Sequence, residues 1–180
     1  VLLSERRRHE ELAQVLGDTG EDPALLLEGD GAHALAWRDW VEPAEVERGA
    51  DAFERLGVAE AIEALADPAQ ALPGGARMTV EATRALVAVD VDTGTDTSPA
   101  AALKANLAMA QALPRALRLR GLGGQVVVDP APSPKRDRRQ VETALKAALR
   151  ADPVQTAVLG WTALGHIELQ RQRARPPLPL

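Results

Sequence analysis

Apolar and polar residues alternate with a period of two along 76–81 (ARMTVE) and 85–91 (ALVAVDV). This period is typical of strands that bury one face, and the short turn between the runs predicts a hairpin. A third apolar run, 125–129, and a fourth, 154–161, predict two further strands. The pattern between the strands changes to that of helices, which predicts an α/β sheet with helices packed on it.

Two helices are predicted between these strands. The first follows Ser98-Pro99, a favourable N-cap and first-turn pair, and runs to Gly121, with Pro114 expected to kink or break it. The second opens after Ser133-Pro134 and stops at Pro153.

The N-terminal residues have a different pattern. Helical patterns cover 4–20, 32–43 and, loosely, 41–57, with a short strand within 24–30 and an amphipathic helix within 58–68. We therefore predict three parts: an acidic, smaller helical or α+β segment (1–71), a core with a mixed sheet (72–175), and a Pro-rich tail that is extended or disordered (176–180).

Composition narrows the possible functions. The 180 residues contain no Cys and only 2% aromatic residues, which excludes thiolate zinc sites and argues against nucleic-acid binding by stacked rings. No apolar run is long enough to span a membrane, and no signal-peptide pattern opens the chain, so we expect a cytoplasmic protein with no membrane partner.

Charge is unevenly distributed along the chain. Residues 1–71 carry 6 basic and 17 acidic residues (net −11), and residues 72–180 carry 15 and 9 (net +6). A basic C-terminal half suits a polyanionic ligand, but the two halves could equally balance one another.

Three aspartates end the predicted strands. Asp90 and Asp92 share one face of the second strand, and Asp129 ends the third. Ligands collect at the carboxyl ends of strands in open α/β sheets, so we predict that the three converge there. Clustered carboxylates suit Mg²⁺ or Mn²⁺, whereas the alternative is that each caps a loop or a helix.

The strings LPGGARMTVEATRAL, ALVAVDVDTG, LKANLAMAQALPRALRLRGLGGQVVVDP and LGHIELQRQR, taken in this order, resemble the catalytic core of the ribonuclease E/G family. The resemblance implies a DNase-I-like fold and a metal-dependent endoribonuclease that cuts single-stranded RNA. It implies that Asp90 and Asp129 are catalytic and hold Mg²⁺, and it places Asp92 where the family has Asn.

Some positions depart from the family pattern. Pro130 follows Asp129 directly, and Gln155 falls near the position of an Arg that senses RNA 5′-phosphates in some members. The cysteine pair of the family's zinc link is absent, so any homo-oligomer would form without it. These departures leave open a degenerate relative that binds RNA or a partner without cutting, and, ranked third, a phosphodiesterase acting on small substrates.

Basic, amide and glycine residues near the aspartates are candidates for RNA contact, each with a structural alternative such as a solvated helix face, a helix C-terminus or an ion pair. No Ser or acidic residue lies at a spacing from His166 that indicates a catalytic pair, so His166 is interpreted as a packing or hydrogen-bonding residue. The RNA-contact candidates are Lys104, Asn106, Arg118, Arg120, Gly123, Gly124, Lys135 and Arg136.

Overall fold

A computed structural model describes residues 25–28, 46–49, 52–55 and 57–178 of the chain. It divides into two units, and the second begins at Asp67. Within the first unit, β1 (Leu25–Glu28) pairs in parallel with β2 (Val46–Gly49). Two short helices follow, α1 (Ala52–Arg55) and α2 (Val58–Ala64).

The loosely helical interpretation of 41–57 is wrong at β2, because residues 46–49 pair in register with the apolar run of β1. Strand pairing here overrides a weak helical pattern. The helices predicted over 4–20 and 32–43 lie outside the described residues.

The second unit has six strands and two long helices. Two 3₁₀ turns, Pro73–Gly75 and Lys135–Asp137, precede β4 and the second long helix. In chain order the elements are β3 (Ala69–Ala71), β4 (Arg77–Ala82), β5 (Val87–Asp92), α3 (Pro99–Leu119), β6 (Gly124–Asp129), α4 (Arg138–Ala151), β7 (Thr156–Trp161) and β8 (Ile167–Arg171).

The six strands form one mixed sheet in the order β3-β4-β5-β6-β8-β7. Only β5 and β6 are parallel; all other neighbours are antiparallel. A mixed α/β sheet with packed helices is therefore confirmed. Two of its strands were not predicted: β3, which belongs to this sheet although it lies before residue 72, and β8, which lies between β6 and β7.

The core lies on one face of the sheet. Val87, Val89 and Val91 of β5 are buried with Val126 and Val128 of β6 in one apolar cluster, to which α3 and α4 contribute their apolar stripes. The alternate residues of β5 and β6 point to the opposite face, where the two aspartates of β5 and the terminal aspartate of β6 are exposed. Strand alternation thus separates the acidic residues from the core.

Helix α3 is continuous over 21 residues. Ser98 is its N-cap, with Oγ accepting a hydrogen bond from the Ala101 N–H at 3.2 Å, and Pro99 occupies the first turn as predicted. Pro114 does not break the helix: it is buried in the apolar stripe beside Leu113 and Leu117, and this packing offsets the lost backbone hydrogen bond. In the ranges that the structure describes, no helix has the length and apolar character that crossing a membrane requires.

Candidate active site

Asp90 and Asp129 are neighbours at the carboxyl end of the parallel strand pair. The register of β5 and β6 pairs the two residues directly, so their Cα atoms are separated by about one strand spacing, ~4.8 Å. Register partners project from the same face, here the exposed one. The topology brings together two carboxylates that are separated along the chain by the whole of α3.

The electrostatics of this pair are unfavourable without a cation. The pKa of Asp90 is raised above its usual value, chiefly by partial burial and next by the negative charges of Asp129 and Asp92; a backbone hydrogen bond from Val91 acts in the opposite direction. The Asp129 side chain remains 64% exposed. Like charges this close favour either a proton or a bound cation.

Asp92 lies two residues beyond Asp90 on the same face of β5. Its Oδ1 accepts a hydrogen bond from the Gly94 N–H at 2.9 Å, which closes the turn after the strand. Among the described residues, no group of three or more His, Cys, Asp or Glu side chains is arranged to hold a metal. The geometry therefore presents a carboxylate pair, and the role of Asp92 as a third metal ligand stays a prediction.

His166 also reaches this end of the sheet. Its Nε2 lies 3.7 Å from Asp129 Oδ1, which is an ion-pair distance if the imidazole is protonated but too long for a hydrogen bond. The spacing along the chain gave no sign of this contact. It arises because β8 pairs with β6, with Ile167 opposite Val128.

The turn that carries His166 is docked on the start of α4. Thr162 closes it, its N–H donating to the His166 carbonyl at 2.8 Å and its Oγ1 accepting from the His166 N–H at 3.1 Å. The Arg138 guanidinium lies 4.7 Å from the Trp161 ring centroid, a cation–π contact, and close to Gly165. The turn therefore holds His166 at the Asp129 end of β6.

Asn106, a predicted RNA contact, is fully buried in α3. Its side-chain amide donates to the Ala131 carbonyl at 2.9 Å and accepts from the Ala131 N–H at 2.8 Å. The side chain thus binds the chain's own backbone, in the loop that leaves β6, and it has no exposed surface to offer an RNA.

Arg118 and Arg120, also predicted RNA contacts, point inward. Arg118 forms an ion pair with Asp152, whose side chain is 1% exposed. Arg120 donates to the Asp67 carbonyl at 2.9 Å, and burial lowers the pKa of its guanidinium. Both arginines serve internal contacts, which favours the structural alternative for the end of α3.

Gly123 and Gly124 lie against the C-terminal segment of the chain. A Cβ on Gly123 would meet the Gln172 carbonyl oxygen at 2.6 Å, and one on Gly124, whose φ is +95°, would meet the Arg173 guanidinium at 2.5 Å. The close backbone approach predicted for a phosphate is therefore used by residues 172–173. Further along the chain, the Leu178 N–H donates to the Arg120 carbonyl at 3.0 Å.

Three of the predicted RNA contacts are exposed. Lys104 lies in the first half of α3, and Lys135 and Arg136 lie in the 3₁₀ turn before α4. Arg136 is 83% exposed and lies 3.7 Å from Asp137. Lys104 comes after β5 in the chain, and Lys135 and Arg136 come after β6. Because all three side chains are exposed, they are accessible to an anionic ligand.

A profile of the Ribonuclease E/G family matches residues 31–174. The chain belongs to this family. It is 33% identical to ribonuclease E of Haemophilus influenzae over 131 residues, which are 70% of this chain and 14% of that protein. It is 33% identical to ribonuclease G of Escherichia coli over 132 residues, or 68% of this chain and 26% of that protein.

A third relative, ribonuclease E of Nostoc, is 36% identical over 126 residues, which are 67% of this chain and 18% of that protein. The chain thus spans about a quarter or less of the ribonucleases E and G that it matches. The family match extends across β5, α3 and β6, the elements that place Asp90 and Asp129 side by side.

Proposed function

We propose that this chain carries the catalytic centre of a metal-dependent endoribonuclease that cuts single-stranded RNA. The observation that carries the proposal is the pairing of Asp90 with Asp129 at the carboxyl ends of two parallel strands, in a chain of the ribonuclease E/G family. Relatives in this family are named ribonucleases, and this supports RNA as the substrate class.

Asp90 and Asp129 have the chemistry to hold a hard divalent cation. Two adjacent, exposed carboxylates provide oxygen ligands and leave most coordination positions to water and substrate, as Mg²⁺ prefers; Mn²⁺ accepts the same ligands. The raised pKa of Asp90, which arises from burial and from the neighbouring negative charges, is consistent with a site completed by positive charge. When bound, such an ion polarises a phosphodiester oxygen and makes nearby water more acidic.

The chain's own residues would orient the reaction. The two carboxylates sit on an open sheet face, where a single strand of RNA can approach. A water oxygen would add to phosphorus and release a proton, while the bond from phosphorus to the 3′-oxygen breaks and that oxygen takes up a proton. The products would be a 5′-phosphate and a 3′-hydroxyl. The exposed cations Lys104, Lys135 and Arg136 would neutralise backbone phosphates, so binding should weaken steeply as salt rises.

The test is cleavage of a fluorescently labelled, unstructured RNA with Mg²⁺, Mn²⁺ or EDTA. We expect Asp90→Asn and Asp129→Asn each to slow cleavage by more than about 100-fold, since each removes a ligand from a centre that contributes several kcal/mol. Asp96→Asn is the matched control, because Asp96 lies in the loop after β5 and hydrogen-bonds to Ser98 rather than to the pair.

The outcomes separate the competing functions. Cleavage that survives both substitutions would remove the proposed centre. RNA binding at low salt with no metal-dependent product would indicate a non-catalytic relative. Release from a chromogenic phosphodiester without cleavage of RNA would indicate a small-substrate phosphodiesterase.

A further inference from the structure

Asn106 is a buried polar residue in the apolar stripe of α3. Its neighbours on the stripe, Ala102, Ala105 and Met109, are all buried, and its own exposed fraction is 0%. A buried primary amide is costly unless its donors and acceptor are satisfied. Its partners therefore indicate why this position is not apolar.

The amide binds one residue from two sides. Nδ2 donates to the Ala131 carbonyl and Oδ1 accepts from the Ala131 N–H, at 2.9 and 2.8 Å, and Nδ2 also lies 3.4 Å from Ser133 Oγ. This is the hydrogen-bond pattern that a neighbouring strand would offer. The loop leaving β6 has no strand partner at that point, and Asn106 replaces one.

Ala131 lies two residues after Asp129, and the residue between them is Pro130. The proline ring fixes its own φ, and its Cδ confines the preceding residue to extended backbone. Fixing the backbone of Ala131, which is 1% exposed, therefore also restricts the direction in which the Asp129 side chain leaves the strand. The contact connects α3 to one half of the carboxylate pair.

We propose that Asn106 is a positioning residue for Asp129: its amide holds the Ala131 backbone, and through Pro130 it sets the place of the Asp129 carboxylate beside Asp90. This inference rests on the proposed function, because it assigns Asn106 a role in a metal-binding carboxylate pair. It replaces the RNA contact predicted for this residue.

The experiment compares the wild-type chain with three single-substitution variants. Asn106→Ala removes the amide. Ser133→Ala removes only the long 3.4 Å contact and leaves the Ala131 pair intact. Leu113→Ala matches the expected loss of packing in α3 at a fully buried apolar position. For each protein, the Mn²⁺ dissociation constant is measured by electron paramagnetic resonance below the melting temperature, together with kcat and KM for RNA.

We expect Asn106→Ala to bind Mn²⁺ about 10- to 100-fold more weakly and to lose kcat by a similar factor, the usual effect of removing a residue that orients a ligand. KM for RNA should change little. Ser133→Ala and Leu113→Ala should keep the wild-type Mn²⁺ affinity, and Leu113→Ala should do so despite a lower melting temperature.

Each other result overturns a defined part of the inference. Wild-type Mn²⁺ affinity in folded Asn106→Ala would make the contact structural only. A raised KM with unchanged Mn²⁺ affinity would return Asn106 to the role of an RNA contact. If the wild-type chain itself binds no Mn²⁺, the proposed function fails and the positioning role fails with it.

A second measurement does not depend on any variant being able to fold. Amide hydrogen exchange of the wild-type protein should show slow exchange at Ala131, because its N–H is buried and bonded to Asn106. Exchange there as fast as in exposed loops would mean that the contact is not formed, which would also refute the proposal.

Discussion

Neutralising one carboxylate of the pair should stabilise the fold while it disables the site. Asp90 and Asp129 are register partners on adjacent strands, which puts two like charges about 5 Å apart. Their repulsion is about 0.8 kcal/mol in bulk water and about 3 kcal/mol at an effective dielectric constant of ~20. Because the Asp129 side chain is 64% exposed, solvent screening places the value near the lower figure, about 1 kcal/mol.

The direction of the pKa shift agrees with this sign. A carboxyl whose pKa is raised in the folded chain is less easily charged there than in the unfolded chain, so at neutral pH its charge opposes folding. In EDTA, Asp90→Asn should therefore melt about 3–6 °C above the wild type. Asp96→Asn, the same substitution where the pKa is lowered by hydrogen bonds from Ser98, should give no such gain.

Added metal should reverse the order of the two proteins. At a Mg²⁺ concentration 100 times its dissociation constant, the wild type gains about 2.7 kcal/mol, whereas Asp90→Asn lacks one of the two ligands and gains much less. The assay is thermal unfolding followed by circular dichroism, in EDTA and in a Mg²⁺ series. A variant that melts below the wild type in EDTA, or that gains as much from Mg²⁺, would refute this account of the site.

Three further predictions concern the rest of the second unit. Asp152→Asn should cost about 3–5 kcal/mol in urea unfolding, because it removes a 1%-exposed carboxylate that faces two arginines; a loss below about 1 kcal/mol would contradict this. Glu142 accepts from Lys146 at 2.6 Å and its pKa is lowered, chiefly by that bond. The free energy of unfolding of the wild type should therefore exceed that of Glu142→Gln by about 0.5 kcal/mol above pH ~4.5. This difference should vanish as the pH falls through the lowered pKa of Glu142 in the folded chain. Gly124→Ala should lower the melting temperature and leave the RNA affinity of the folded chain unchanged; a selective loss of RNA affinity would restore the phosphate-loop interpretation.

Local patterns were sufficient to predict the centre of the fold. The period of two over 76–81 and 85–91 identifies β4 and β5, and the Ser98-Pro99 start with Gly121 beyond the end identifies α3. The unpredicted strand β8 has Arg171 at a buried position. An arginine there breaks the apolar alternation, and its buried charge is met by the Asp152 carboxylate and by a hydrogen bond to the Thr156 hydroxyl.

The carboxylate pair could be predicted because strand ends follow a general rule: the acids come directly after apolar runs, and parallel neighbours end at one edge of the sheet. The inward direction of Arg118 and Arg120 could not, since their partners, Asp152 and the Asp67 carbonyl, lie 34 and 53 residues away. For Asn106 a signal existed, because it falls at helical spacing within the buried stripe of α3.

The position of β8 has a consequence for how the protein is made. Of the described strands it comes last in the chain, yet it lies inside the sheet, hydrogen-bonded to β6 on one side and β7 on the other. During synthesis β6 must therefore wait with one side unpaired until Ile167–Arg171 has left the ribosome. A translation product that stops before Ile167 would expose this apolar edge to other chains and should aggregate rather than fold.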